Sequence, residues 1–370
     1  MADTSHQHHH RHHHRHSAGY RIRHWLRRNK KLAIGSAVIC IVALAAGGTF
    51  LHQERAAQSV MHVTAGNSVD MKSGYRRITY QGKEYQYNSL ITTILYAGID
   101  SEGEMKASNA YSNKARADSI SLVILDKKHQ RMRILALNRD TMTDIRRYSR
   151  SGSDMGTYVS HLGYAYSYGD GGEVSCEDLR EAVSNLLGGI PVNEYAVTNR
   201  SSMTYINDLV GGITLTVPNN DLAAQYPELK EGTTVTLDDT TIEPYLRYRD
   251  TTKDFSNEGR IERQQTYVTA YIAKLKAQLQ KDLNGTWEKT QDMSKFLQTS
   301  ITRNKYITLA NLLEQVSFSD ADYYRPKGQD QLGELHDEFY VEEAALQQLI
   351  IVLFYEEICG YPFVCPSISV

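Results

Sequence analysis

LITTILYAGID at 90–100, followed by SISLVILD at 119–126 and MRILALN at 132–138, decides the fold. The first run is β-branched and apolar without clean alternation, the pattern of a central strand covered on both faces. The second and third are strands of the same kind, separated by the basic turn KKHQR at 127–131. Working outward, RITYQGKEYQY at 77–87 reads as a hairpin about Gln81-Gly82. EDLREAVSNLLGG at 177–189 has helical periodicity and a glycine stop. YAVTNR, MTYINDLVGG and ITLTVP, over 195–218, repeat the order strand, helix, strand. RIERQQTYVTAYIAKLKAQLQ at 260–280 is a long amphipathic helix, and EEAALQQLIIVLFYEEI at 342–358 closes the series as an apolar one. This alternation predicts a three-layer α/β/α domain around a mostly parallel or mixed central sheet.

The chain has 370 residues, 41% hydrophobic and 23% charged, enough for one large domain or two small ones. Seven Pro and 25 Gly exclude a collagen-like or wholly disordered chain. With 41 Lys and Arg against 43 Asp and Glu, no cation excess exists to coat nucleic acid. Tyrosine is over-represented, at 25 against seven Phe, which suits polar extended ligands or solvated strand faces equally.

The unusual composition lies at the N-terminus. LAIGSAVICIVALAAGGTFL at 32–51 carries no charge, and at about 1.5 Å per residue it matches a hydrocarbon core of roughly 30 Å. Arg21, Arg23, Arg27, Arg28, Lys30 and Lys31 precede it, whereas HQERAAQSV follows. That asymmetry predicts a single-pass transmembrane helix with residues 1–31 in the cytoplasm and the remainder outside the cell. The apolar run exceeds the 7 to 15 residues usual in a cleaved signal, although Ala45, Ala46 and Gly47 resemble cleavage positions. A polar stalk over 52–75, a domain over 76–358 and a tail over 359–370 complete the organisation. The 342–358 helix is too short, and too closely flanked by acids, for a second span. HQHHHRHHHRH at 6–16 is a weakly metal-adhesive tail without fixed ligand geometry. Cys40 lies inside the apolar span; Cys359 and Cys365 could close a small loop and leave Cys176 free. Neither a Cys-x-x-Cys pair nor a Cys/His cluster suggests zinc.

The chemistry-bearing residues stand where strands and helices begin or end, which is where open α/β sheets build their sites. Asp100 ends the first central strand, Arg116 and Asp118 begin the next, and Arg139 and Asp140 end the third. Arg247 and Arg249 follow a short segment, while Arg260, Arg263 and Gln264 open the long helix. Arginine forks suit phosphate oxygens, and paired carboxylates offer hard ligands for a Mg²⁺ that also binds phosphate. Surface ion pairs are the ordinary fate of such loop charges; clusters at so many element ends favour a polyanion site.

GID, ARADS, LNRDT, AYSYG, NDLVGGI, LRYR and GRIERQQ, in that order over 98–265, resemble the LytR-CpsA-Psr family. The resemblance implies a membrane-anchored, extracytoplasmic transferase that moves a glycopolymer from a polyprenyl-pyrophosphate carrier onto peptidoglycan. It implies Asp100 and Asp118 as metal ligands for Mg²⁺, with Arg116, Arg139, Arg247, Arg249, Arg260, Arg263 and Gln264 around the lipid pyrophosphate. It also implies Asp118, Asp140 and Arg139 as the catalytic group, Asp140 either as the base or as the residue that orients Arg139. A lipid tunnel would draw on 209–217, 120–125 and the face Val268, Ile272, Leu275 and Leu279. Where the family often carries Lys-Ile-Asn-x-Ala-Tyr, this chain reads His161-Leu162-Gly163-Tyr164-Ala165-Tyr166, with His161 a partial substitute for the lysine. No motif is assigned within 281–340. A pyrophosphatase using water as acceptor retains all these residues. A glycan-binding module has no use for Asp100 and Asp118, and a DNA-binding attenuator would need the arginines on the cytoplasmic side.

Overall fold

The computed structural model describes residues 75–111, 115–248, 257–333 and 337–358, without the side chains of 257 and 258. The proposed cytoplasmic tail, the 32–51 span, all of the stalk but Tyr75, and the 359–370 tail lie outside the described residues, as does Arg249. Among the described residues, no helix is long and apolar enough to cross a membrane.

The hairpin forms as the turn chemistry requires. Strands β1 (Arg77–Tyr80) and β2 (Lys83–Tyr87) flank Gln81 at φ 49° and Gly82 at φ 77°, the two left-handed positions of a tight hairpin turn. Next come β3 (Ile91–Ile99), β4 (Ala117–Asp126), β5 (Arg131–Leu137) and the ribbon β6 (Met142–Tyr148) with β7 (Asp154–His161). Helix α1 (Glu173–Leu186), β8 (Glu194–Asn199), α2 (Met203–Leu209), β9 (Ile213–Thr216) and β10 (Thr234–Leu237) follow. The chain continues through α3 (Ile242–Arg247), α4 (Asn257–Lys281), α5 (Leu283–Asp292), β11 (Leu297–Thr299) and α6 (Arg303–Gln315). It ends with β12 (Tyr323–Tyr324), β13 (Gly328–Leu332), β14 (Asp337–Val341), α7 (Glu343–Phe354) and β15 (Tyr355–Glu357).

Six strands build the central sheet in the order β11-β8-β3-β4-β5-β12. Strands β8 and β3 run parallel, as do β5 and β12; the other neighbours are antiparallel, so the sheet is mixed. Every second residue of β3, from Ile91 through Leu95 to Ile99, is buried on one face. There Leu179 and Val183 of α1 and Ile350 and Phe354 of α7 join Leu122 and Leu135 in the main core. On the other face Ile94, Val123 and Ile134 meet Ile272 of α4 and Leu309 and Leu312 of α6. Helices therefore cover both faces, as expected for three layers. The α4 face is thinner near one end of the sheet, where Gly98, Ser119, Ser121 and Ala136 replace the large apolar residues.

Two elements depart from the sequence reading. Strand β9 pairs only with β10, outside the central sheet; its Ile213 and Leu215 pack with Tyr245 and Tyr267 in a separate core. The terminal apolar helix stops at Phe354, whose carbonyl accepts the Asn88 amide at 2.9 Å. Tyr355–Glu357 then pair with β2, Tyr355 opposite Tyr87, and Lys83 bridges Glu357 at 3.0 Å. The strand-prone tyrosine and the ladder offered by β2 outweigh a last helical turn.

Helix α1 holds the β6–β7 ribbon through a polar contact. Asp178 accepts from the Tyr148 hydroxyl at 3.0 Å, while Arg146 reaches Glu181 at 2.8 Å. Asp178 is 4% exposed, and its second oxygen has no hydrogen-bond partner among the described residues. Burial pushes its carboxyl up to about 7, the Tyr148 bond and Arg146 only partly opposing it. A raised folded-state value means that stabilisation by the protonated form is complete below the unfolded value near 3.8 and lost as pH climbs to about 7. Asp178→Asn should therefore raise the melting temperature at pH 8, reflecting relief on the order of a few kcal/mol, and leave it nearly unchanged at pH 4. An equal shift at both pH values would show that Asp178 is not held protonated.

Candidate functional site

The sheet topology brings the charged strand ends together. Because β8 and β3 run the same way and β4 is antiparallel to both β3 and β5, one edge of the sheet collects three strand exits and one entrance. Asp100, Arg116, Asp118, Arg139, Asp140 and Arg200 all lie along it.

Asp100 is fixed by its neighbour. Its amide donates to the Arg116 carbonyl at 3.0 Å, its Oδ1 accepts the Arg116 amide at 2.6 Å, and its Oδ2 lies 3.5 Å from Arg116 Nε. The Arg116 guanidinium sits 5.8 Å from the centre of the Tyr164 ring, within cation–π range. Asp118 occupies a β-bulge: Gly98 faces Ser119 while Ile99 faces Ala117, which leaves Asp118 as the extra residue. A bulge re-aims the side chain it carries. Asp118 thereby accepts a hydrogen bond from Arg139 Nη1, across the β4–β5 pair, and Asp140 lies 3.5 Å from Arg139 Nε. Burial alone would lower the Arg139 guanidinium; Asp118 and Asp140 outweigh it and hold the value raised.

Backbone packing sets this arrangement. The Gly163 amide donates to the Arg139 carbonyl at 2.8 Å, and a Cβ at 163 would come within 2.8 Å of the Ala117 carbonyl. The family-like segment around 161–166 thus needs glycine here for close approach. His161 Nε2 lies 3.0 Å from the carbonyl of Asp337, a residue of the cavity wall, and its ring meets Tyr164 edge-on.

A cavity of about 840 Å³ opens over Asp118, Arg139 and Asp140; Asp100 and Arg116 lie outside its lining. Asp118, Arg139 and Asp140 form its charged end, and Ser119, Ser121 and Ala136 form its floor. Arg260, Ile261 and Gln264 from the start of α4 line it as well, and residues from 323–330 and 337–342, Arg325 and Lys327 among them, complete its wall. Tyr96 and Tyr271, on the α4 side of the sheet, are half-buried, and burial raises both phenols. The hollow arises from the small residues on the strands. Ile120, Leu122 and Ile124 point the other way into the main core, and Ile213, Leu215 and Val217 are packed core.

Other expected site residues lie elsewhere. Arg263 is fully buried, donating from Nε to the Tyr245 carbonyl at 3.0 Å and from Nη1 to Asn219 at 3.1 Å and Asp221 at 2.8 Å, with Nη2 on the Tyr248 carbonyl. Its guanidinium is committed to holding the α3–α4 connection, so it is a scaffold residue and not a phosphate ligand. Gln264 faces the cavity while its amide donates to the Leu246 carbonyl at 3.0 Å. Arg247 is the last residue of α3 and not part of an extended segment; it pairs with Glu243 at 2.7 Å. Arg200 also bonds Glu243, at 2.9 Å from Nε, and reaches Glu102 at 2.7 Å. Glu243, one helical turn before Arg247, thus neutralises both Arg247 and Arg200.

Arg200, Arg325 and Lys327 escaped the sequence reading. Arg200 directly follows a strand, so the strand-end rule that found Asp100 applies to it equally. Arg325 and Lys327 follow a two-residue strand, too short to leave a periodic signal. For a metal, no group of three or more Asp, Glu, His or Cys assembles among the described residues. Mg²⁺ needs fewer when phosphate and water complete its shell. Asp100 and Asp118 fit that partial role, with 21% and 23% of their side chains accessible on the same edge.

The sequence matches the LytR-CpsA-Psr (LytR_cpsA_psr) family over residues 53–349. The chain belongs to that family. Its relatives include the Bacillus cereus polyisoprenyl-teichoic acid–peptidoglycan teichoic acid transferase TagU, 25% identical over 260 residues, covering 70% of this chain and 76% of TagU. The Bacillus mycoides TagU is 29% identical over 185 residues, 49% of this chain and 52% of its own length. Among solved structures, Bacillus subtilis TagV aligns with TM-score 0.53 and 22% identity over 71% of this chain and 95% of TagV. TagT bound to LIIa-WTA aligns with TM-score 0.53 and 21% identity over 72% and 90%. At that identity these structures support the shared fold.

The two family arginines should separate experimentally. Arg263→Lys should lower stability by about 3 kcal/mol, since one ammonium cannot satisfy the carbonyls and acid that the fork serves. Arg247→Lys should change stability by less than about 1 kcal/mol, its pair with Glu243 being solvent-accessible. Equal melting temperatures for the two variants in thermal unfolding would contradict the scaffold role.

Proposed function

We propose that this protein is a membrane-anchored phosphotransferase that moves a glycopolymer from a polyprenyl-pyrophosphate carrier onto peptidoglycan outside the cell. One observation supports this most directly: Arg139 lies between Asp118 and Asp140 at the mouth of a cavity that runs beneath α4. Such an alternation pairs its charges internally without substrate, with one carboxylate in excess, and re-partitions when a pyrophosphate arrives with its cation. The arginines turn to the phosphate oxygens, and the carboxylates take other partners.

Mg²⁺, when bound by Asp100 and Asp118 together with a phosphate oxygen, would supply charge neutralisation at the departing phosphate. The protein's own groups account for the rest. Arg116 and Arg139 grip the pyrophosphate, and Arg260 approaches it from the roof. The acceptor hydroxyl attacks the polymer-side phosphorus as the P–O–P bridge breaks. Polyprenyl phosphate leaves, and a phosphodiester joins polymer to acceptor. Asp140 takes the hydroxyl proton once Arg139 has turned away. The polyprenyl chain occupies the hollow above Ser119, Ser121 and Ala136. The names of the TagU relatives support this donor and acceptor, and the charge asymmetry around 32–51 supports the orientation.

Arg139→Lys keeps the charge and removes the bidentate fork. Binding of a polyprenyl-pyrophosphate donor should weaken by roughly 1–3 kcal/mol, with little change in melting temperature. Chelation should stop turnover of the wild type, and added Mg²⁺ should restore it. Unchanged donor binding by the lysine variant would place the pyrophosphate elsewhere.

A further inference from the structure

The far wall of the cavity is a hairpin that the reaction as described leaves without a role. Strands β13 and β14 place Gln329 opposite Tyr340 and Asp330 opposite Phe339. The hairpin is tied to the reacting end, because the Phe339 amide donates to the Asp140 carbonyl at 2.8 Å and Thr141 bridges to Phe339. Its base is closed by the Glu342 amide on the Lys327 carbonyl, also at 2.8 Å. Both strands thus stand in fixed register with the catalytic carboxylate.

From this geometry we infer that the β13–β14 hairpin is the acceptor subsite, where a neutral saccharide of the acceptor glycan lies against Gln329 and Tyr340. The inference rests on the transferase reading and deepens it. In-line displacement requires the nucleophile to approach phosphorus opposite the leaving group. If polyprenyl phosphate departs between the small strand residues and the start of α4, the attacking hydroxyl must enter from another side of the cavity, and the hairpin bounds that cavity beside Asp140.

The charge pattern selects the ligand class. Asp330, Asp337 and Glu342 oppose Arg325 and Lys327 on this wall, so it offers no net cation for a second run of phosphates. Carboxylates and amides instead accept and donate to sugar hydroxyls, and an aromatic ring packs against the C–H face of a pyranose. Tyr340 is 41% exposed, and its hydroxyl donates to Glu338 at 2.7 Å, which holds the ring in place as a platform. Across the ladder, exposed Gln329 is the register partner of Tyr340. A phosphate-rich donor polymer would be repelled by the acids; an uncharged sugar would not.

The test uses the full-length protein in detergent, comparing wild type with the double variant Gln329→Ala/Tyr340→Ala, whose side chains are exposed. Glycan fragments released from peptidoglycan by muramidase are titrated without donor and followed by NMR. In parallel, polyprenyl phosphate release to water and transfer to the same fragments are measured with a polyprenyl-pyrophosphate donor. The variant should bind fragments about tenfold more weakly, the scale of one or two lost contacts. Its acceptor KM should rise likewise, with donor binding and release to water unchanged. Equal fragment binding by the two proteins, or none by the wild type, overturns the subsite. A wild type that binds fragments but never processes donor overturns the transferase reading and leaves the subsite supported.

Discussion

Arg139 held between Asp118 and Asp140 is the constraint on which the site depends. The guanidinium is half-buried, and because its partners come from different elements the pairing fixes its geometry. Asp118 is delivered by a bulge in β4, Asp140 by the exit of β5, and the Arg139 carbonyl is caught by Gly163. Moving any of these would misplace the guanidinium that faces the cavity. The same bulge separates Asp118 from the Ile99–Ala117 pair, so the strand register and the position of the carboxylate are one feature.

A second layer of arginine chemistry supports the first. Arg263 gathers the carbonyls of Tyr245 and Tyr248 with Asn219 and Asp221, and so fixes where α4 begins. That placement brings Arg260, Ile261 and Gln264 over the cavity. The hollow beneath α4 follows from residue size, since Gly98, Ser119, Ser121 and Ala136 cannot fill the gap that Ile94, Val123 and Ile134 fill farther along the sheet.

The central strands were legible because 90–100, 119–126 and 132–138 are long apolar runs bounded by turns. The strand-end rule then found Asp100, Asp118, Arg139 and Asp140, since the sheet order brings consecutive exits to one edge. Arg263 misled because motif position says nothing about which donors the backbone will claim. Arg247 was placed at the phosphates by motif alone, while Glu243 four residues earlier makes it one half of a helical ion pair. The β13–β14 pair was invisible: β13 is polar but for Leu332, both strands are only five residues long, and β14 is docked to Asp140 and Thr141 through Phe339.

The central claim is that cations and carboxylates at this edge transfer a polymer rather than hold or hydrolyse it. The most direct measurement incubates the purified full-length protein with Mg²⁺, a labelled polyprenyl-pyrophosphate-linked glycopolymer and peptidoglycan. The account predicts label joined covalently to the peptidoglycan through a phosphodiester, with polyprenyl phosphate released in equal amount. Label released only as free polymer, or retained wholly on the lipid carrier, would contradict it.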